Sequence, residues 1–277
     1  MKYLSISVVI STYNSKDWLA KVLEGYKHQT YDFFEVIIAD DGSNDETESL
    51  IKSFQKNYPV PLHHIWHEDK GYRRQRILNI AITKSNFNYI LFTDGDCIPR
   101  NDFLATHAQH AELGYFLSGG YCKLNMELSR KIGLDNIANT QCFDVRWLRL
   151  QSNLGLKQAI KISSTKPISK FLDFMTPTGA TFNNCNSSAW KSDLMAINGY
   201  DERMQYGGPD RELGERLINY GIKPKQIRHQ AICLHLDHPR GYKTKQSLEK
   251  NLKIRKLVKY HNKVWTEFGI QKGPKIK

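Results

Sequence analysis

Along the first hundred residues, short apolar runs alternate with stretches whose apolar positions recur at helical spacing. Residues 6–11 form one such run, after which Trp18, Leu19, Val22, Leu23 and Tyr26 share a helical face behind Ser15, a candidate cap. The alternation continues with a strand at 36–39, a helix near 47–54 with Leu50, Ile51 and Phe54 inward, and a strand at 62–66. A helix at 73–83 and a strand at 89–93 follow. Repeated strand–helix units of this length predict an α/β fold with a Rossmann-like, mostly parallel sheet flanked by helices. In such sheets ligands bind beyond the carboxyl ends of the strands. The polar clusters Thr12-Tyr13-Asn14, Asp40-Asp41-Gly42-Ser43 and Asp94-Gly95-Asp96 fall at those ends.

Residues 121–178 lose this rhythm and read as helix and loop with aromatic islands at Phe143, Trp147 and Phe171. Regularity returns at 179–190, and Gly207-Gly208-Pro209 then opens a helix with Leu213 and Leu217 inward and Gly221 at its end. From Lys243 the chain reads as a basic amphipathic helix carrying Leu248, Leu252, Ile254, Leu257 and Val258. The pattern divides the chain into a regular strand–helix half (1–120), a less regular half of the same domain (121–240) and the C-terminal helix (241–277).

Composition narrows the class. At 277 residues, 40% hydrophobic and 25% charged, the chain has material for a real core. No apolar run approaches the roughly 18–20 residues that cross a bilayer. The opening segment is too short for a signal peptide and reads as a buried strand, so a cytoplasmic protein is expected. Five scattered cysteines without a Cys-x-x-Cys pair argue against disulfides and zinc. A net charge of +12 predicts attraction to anions: nucleic acid, an acidic membrane surface or phosphorylated substrates.

Chemistry is concentrated in five places. Asp94 and Asp96, two apart at a strand end, can face one cleft and suit Mg²⁺ or Mn²⁺ on a diphosphate, although a solvated turn has the same composition. Asp40-Asp41-Gly42-Ser43-Asn44-Asp45 makes a turn and cap, and one of its acids is free to accept from a base N–H. Arg73, Arg74 and Arg76 crowd a helix start, a costly placement unless an anion such as phosphate joins them. Asp210, in the first turn after two glycines, is a general-base candidate, whereas Glu212 can pair with Arg216. His235 and His238 offer imidazoles that would shift preference from Mg²⁺ towards Mn²⁺.

Taken together these segments resemble the inverting family 2 glycosyltransferases of GT-A fold, in the branch of chondroitin polymerases and β-1,4-galactosyltransferases. The likeness rests on Val8-Val9-Ile10-Ser11-Thr12-Tyr13-Asn14, Asp40-Asp41-Gly42-Ser43-Asn44-Asp45-Glu46-Thr47, His67-Glu68-Asp69-Lys70-Gly71-Tyr72 and Asp94-Gly95-Asp96. It continues in Asn198-Gly199-Tyr200-Asp201-Glu202, leading into Gly207-Gly208-Pro209-Asp210-Arg211-Glu212-Leu213. The resemblance implies that Thr12, Tyr13, Asn14, Arg74, Arg76, Asp94 and Gly95 line the nucleotide-sugar pocket and that Asp41 bonds the uracil edge. It further implies that Asp96 and His235 hold the metal and that Asp210 is the base. Gly208, Arg211 and Glu212 are then expected at the acceptor. Pro209 replaces the acid that usually precedes the base.

The implied activity is direct displacement from a UDP-sugar onto a glycan or lipid-linked acceptor, in lipopolysaccharide, capsule or similar synthesis. The basic C-terminal helix either touches the anionic inner leaflet or packs its stripe on the domain and leaves its lysines solvated. Two rivals are a sugar nucleotidyltransferase and a basic nucleic-acid-binding or scaffold protein. Ser11-Thr12-Tyr13-Asn14-Ser15 lacks the glycine-rich loop that the first resembles. Lysines gathered near the C-terminus opposite an acidic sheet mouth speak against nucleic acid as a partner.

Overall fold

The structure, a computed structural model, describes residues 3–152, 154–163, 166–239 and 243–273; the boundary expected at 240–241 lies outside them. The chain runs β1 (Ile6–Thr12), α1 (Lys16–Lys27), β2 (Phe34–Asp40), α2 (Asp45–Gln55), β3 (Leu62–Trp66), α3 (Arg74–Lys84) and β4 (Tyr89–Asp94). Next come β5 (Cys97–Pro99), α4 (Phe103–His110), β6 (Tyr115–Ser118) and β7 (Gly120–Lys123), then helices α5 (Met126–Lys131), α6 (Leu134–Ala138), α7 (Val145–Gln151), α8 (Leu156–Ser163) and α9 (Lys166–Met175). It closes with β8 (Ser187–Trp190), α10 (Lys191–Ala196), α11 (Pro209–Asn219), β9 (Lys223–Gln226), β10 (Ile232–His235) and α12 (Lys245–Tyr260).

The main sheet has the order β3-β2-β1-β4-β8-β6-β9, with β1 to β4 parallel and β8 antiparallel to both neighbours. Strands β8 and β9 insert beside β4 and β6, so the two expected halves share one sheet. A small sheet, β5-β10-β7, adjoins it. Alternation divides the core. Val8, Ile10, Val36 and Leu91 meet Leu19, Val22 and Leu23 of α1 on one face. Val9, Ile37 and Phe92 meet Ile77 and Leu78 of α3 and Leu213 and Leu217 of α11 on the other. Strands covered on both faces read as unbroken apolar runs, which explains the clarity of 6–11 and 36–39 in the sequence.

Four expectations change in detail. Ser15 occupies the cap position of α1 without a side-chain bond, whereas Asn44 caps α2 by accepting from the Thr47 N–H. Within 179–190 only Ser187–Trp190 is strand. The apolar stripe of α12 is divided: Val258 is buried and Leu248 and Ile254 half-buried on the domain side, while Leu252 and Leu257 are exposed. At about 100° per residue the two exposed leucines point about 140° apart, so they form no continuous membrane face. Finally, 241–277 is more than a helix, because residues 264–273 turn back onto residues 198–202. The five cysteines are free and buried. No helix among the described residues is long and apolar enough to cross a membrane.

Candidate active site

Strands β1, β2 and β4 end side by side, and their register sets Ser11 beside Asp94 and Thr12 beside Asp40. The chain then folds over this rim, with the Gly95 N–H donating to the Ser11 carbonyl at 2.8 Å. Arg74, in the first turn of α3, donates to the Ser11 hydroxyl and to Asp94 Oδ1. Burial opposes the Arg74 charge, but Asp94, Tyr72, Tyr200 and Asp210 outweigh it and raise its pKa. Of the crowded cations, Arg74 therefore finds an anion within the protein. Arg76 is exposed, about 200° further round the helix, and has no described bond to this cluster. The structure does not bring it to the rim. Thr12 keeps a buried hydroxyl oxygen without a partner at the same spot, and the half-exposed Tyr13 donates its hydroxyl to Asp69 at 2.8 Å.

The two acids closing β2 have different tasks. Asp40 is fully buried and accepts from the Ser43 N–H at 2.8 Å, with His64 Nε2 at 3.0 Å. Asp41 faces the next loop, where His67 Nε2 lies 2.8 Å from Oδ1 and the Arg73 N–H donates to Oδ2 at 3.1 Å. Burial raises the pKa of Asp41 despite those bonds. Gly42, at φ +97°, lets this loop lie against Asp69, whose Cα would be 2.7 Å from any added Cβ. Asn14, expected at the nucleotide, instead ties the loops together: its N–H donates to Ser43 Oγ, and its Oδ1 accepts from the Asn44 N–H.

Asp96, His235 and His238 bring one carboxylate oxygen and two imidazole nitrogens within 4.8 Å of one another. His238, set beside His235 only as a second imidazole by the sequence, is the closer partner, its Nε2 3.0 Å from Asp96 Oδ2. Both rings direct Nδ1 at backbone carbonyls, of Leu236 and Pro239, which leaves Nε2 of each for the cluster. Such anchoring of the far ring nitrogen on a backbone carbonyl is typical of metal-ligating histidines. Burial penalises the Asp96 anion, yet His238 and His235 hold its carboxyl below the usual range. The donor set of one carboxylate and two imidazoles fits a divalent cation. Tyr121, which sequence reasoning passed over, has its ring 5.7 Å from that of His235. Nothing in its local pattern marks it, since a tertiary contact puts it there.

Asp210 is half-buried in the first turn of α11, and Oδ1 accepts from the Arg211 N–H at 2.9 Å. Burial, joined by nearby Asp94, raises its pKa although that N–H and Arg74 pull the other way. Asp210, Asp94 and Arg74 thus share one rim. Arg211 is exposed there and acts electrostatically on both Asp210 and Tyr121. Glu212 cannot meet an acceptor: it is fully buried, binds Arg216 through both oxygens at 2.6 and 2.9 Å, and Arg216 goes on to hold the Ile197 and Gly199 carbonyls. Gly208 also changes role. At φ +85° its missing side chain faces Arg255 of α12 at 3.3 Å, so the glycine gives room to a helix rather than to a ligand.

Residues 7–119 match the family described as Glycosyl transferase family 2, and residues 169–239 match the N-terminal domain of galactosyltransferase. Chondroitin synthase of Escherichia coli is 23% identical over 91% of this chain and 38% of its own length. A mannosyltransferase of Pyrobaculum calidifontis, solved with GDP-Man and Mn²⁺, superposes with a TM-score of 0.58 at 18% identity, over 94% of this chain and 64% of the other. TarS of S. aureus with UDP-GlcNAc gives 0.62 at 14% identity, over 94% and 69%. Across the curated relatives that match most of this chain, it spans between 38% and 69% of their length. The solved structures establish the architecture, and the two matched segments carry the strand-end acids and the late helix in family order. The chain carries a family 2 glycosyltransferase segment at residues 7–119 and has the GT-A fold.

Proposed function

We propose that this chain moves a hexose or N-acetylhexosamine from a UDP-sugar to a hydroxyl of a glycan or lipid-linked acceptor, with inversion, in building a cell-surface polysaccharide. The observation that carries the reading is the convergence of Asp94, Asp210 and Arg74, from a strand, a distant helix and a third element, on one rim. Asp210 accepts the proton of the acceptor hydroxyl as its oxygen bonds to the anomeric carbon, and the bond to the diphosphate breaks on the opposite face. Arg74 turns its guanidinium from Asp94 to the departing diphosphate. A divalent ion held by Asp96, His235 and His238 would supply further positive charge there. Asp41, beside the strand mouth, supports uracil as the base through its capacity to accept from an imide N–H, and the unpartnered Thr12 hydroxyl supports a polar ligand nearby.

The test is a donor screen with UDP-, GDP- and dTDP-sugars, combined with Asp96→Asn. The variant is expected to lose transfer and metal-dependent nucleoside diphosphate binding while its melting temperature persists. Full activity in the variant or in excess chelator removes the metal from the reading. Release of pyrophosphate instead of UDP would make the protein a nucleotidyltransferase.

A further inference from the structure

Helix α9 is turned inside out. Ser169 and Asp173 face the protein at 2% and 9% exposure, while Ile168, Phe171, Phe174 and Met175 face solvent at 52%, 62%, 85% and 58%. The polar side is fixed in place. Asp173 accepts from the His229 N–H at 2.8 Å, pairs with His229 Nδ1 at 2.9 Å, and accepts from Gln230 Nε2 at 2.9 Å. Four large apolar side chains within one arc of a helix otherwise bonded through its acid are a costly surface to leave wet. Leu156 of α8 and Leu150 of α7 add to the exposed apolar area of this segment. Residues 145–175 carry six basic residues against one acid, the buried Asp173. Lys157, Lys170, Arg146 and Arg149 are exposed.

We infer that α9 with its basic neighbours is a docking surface for an anionic lipid bilayer. Exposed aromatic and aliphatic side chains on a helix that also exposes Lys170, in a segment whose other exposed charges are basic, match the acyl boundary and headgroup layer of such a surface. A second copy of this chain would bring the same cations face to face, so charge complementarity favours lipid. The contact differs from the one the C-terminal sequence suggests, because the inward stripe of α12 packs on the domain. The preceding helix connects to the cleft: Lys161 of α8 donates to the Tyr121 carbonyl at 2.7 Å, and the Tyr121 ring adjoins His235. Insofar as the proposed transfer holds, a lipid-carried acceptor would enter from this side.

The full chain is tested by flotation with phosphatidylcholine vesicles, alone or with about 30% phosphatidylglycerol. Binding to the anionic vesicles is expected, together with quenching of a Phe174→Trp variant by brominated lipid. Phe171→Ser with Phe174→Ser should weaken partitioning at least about tenfold, since two large apolar groups lose their burial. Lys157→Gln with Lys170→Gln should weaken it in a salt-dependent way, while Lys250→Gln, Lys253→Gln and Lys256→Gln in α12 leave it intact. An unchanged melting temperature shows that each variant folds. Absence of flotation by the wild type, flotation indifferent to the two serines, or loss through the α12 variant overturns the inference. So does a concentration-dependent dimer that only the serine variant abolishes. Transfer to a soluble acceptor fragment reads the catalytic reading separately, so either can fail alone.

Discussion

Asp210, the proposed base, and Glu212, the partner of Arg216, lie two residues apart in one helical turn, and the difference is measurable. Asp210→Asn should lower turnover by at least about a hundredfold, the scale of general-base help, with donor binding retained. Its folded pKa is raised, chiefly by burial, so the free base appears at higher pH than an ordinary aspartate. The acid limb of kcat/KM against pH should be displaced upward in the wild type and vanish in the variant. The linkage has the same sign. A carboxyl that holds its proton more tightly when folded contributes stability below its unfolded pKa and loses it as pH rises through the folded one. At pH 7 the ionised Asp210 therefore costs stability, and Asp210→Asn should melt higher than the wild type there and no higher in acid. Glu212→Gln strips the partner from the buried Arg216 and should cost about 3–5 kcal/mol, seen in chemical denaturation, with a smaller fall in turnover. A larger turnover loss in Glu212→Gln than in Asp210→Asn would transfer the base to Glu212. The sequence showed the Glu212–Arg216 spacing but could not show that four oxygens from two segments converge on one guanidinium.

Among the elements, α12 holds the loop that precedes Asp210, the proposed base. Asn251 donates to the Gln205, Tyr206 and Gly207 carbonyls at 2.9, 3.1 and 3.2 Å, and Arg255 bonds Glu215 of α11 at 2.5 Å. Asn251→Ala should slow turnover between about ten- and a hundredfold by loosening the turn that aims Asp210, and leave the KM for donor unchanged. A raised donor KM with normal turnover would contradict that role. The parallel core, β1 to β4 with α1 to α3, was readable to within about two residues, because strands buried on both faces and helices buried on one leave strong periods. The stretch from 121 to 178 was not. Its helices are short, and α9 places Asp173 inward and Phe171 outward, so the pattern points away from the element's own packing. The acids Asp94, Asp96 and Asp210 were legible from motif and order. The position of His238 beside Asp96 was only hinted at by its spacing, since it depends on where β10 meets β5.

At the scale of the whole molecule, residues 264–273 close over the turn that leads to Asp210, the proposed base. Asn198 Nδ2 donates to the Thr266 and Gln271 carbonyls at 2.6 and 2.7 Å, and its Oδ1 accepts from the Gln271 N–H at 2.7 Å. Thr266 bonds Asp201, and the Arg203 guanidinium lies 3.7 Å above the Phe268 ring. A chain ending at Lys263 should keep the β1–β4 sheet and its donor pocket but lose turnover; normal activity in it would make the segment decorative. Asn198→Ala should show the same separation, with a loss of about 3 kcal/mol from three net hydrogen bonds. The arrangement also orders events on the ribosome. Domains fold from the N-terminal side as synthesis proceeds, so the proposed nucleotide pocket can form while the proposed base is still unsupported. Nascent chains arrested before residue 264 should capture donor without consuming it, and catalysis should begin only once the strap has emerged.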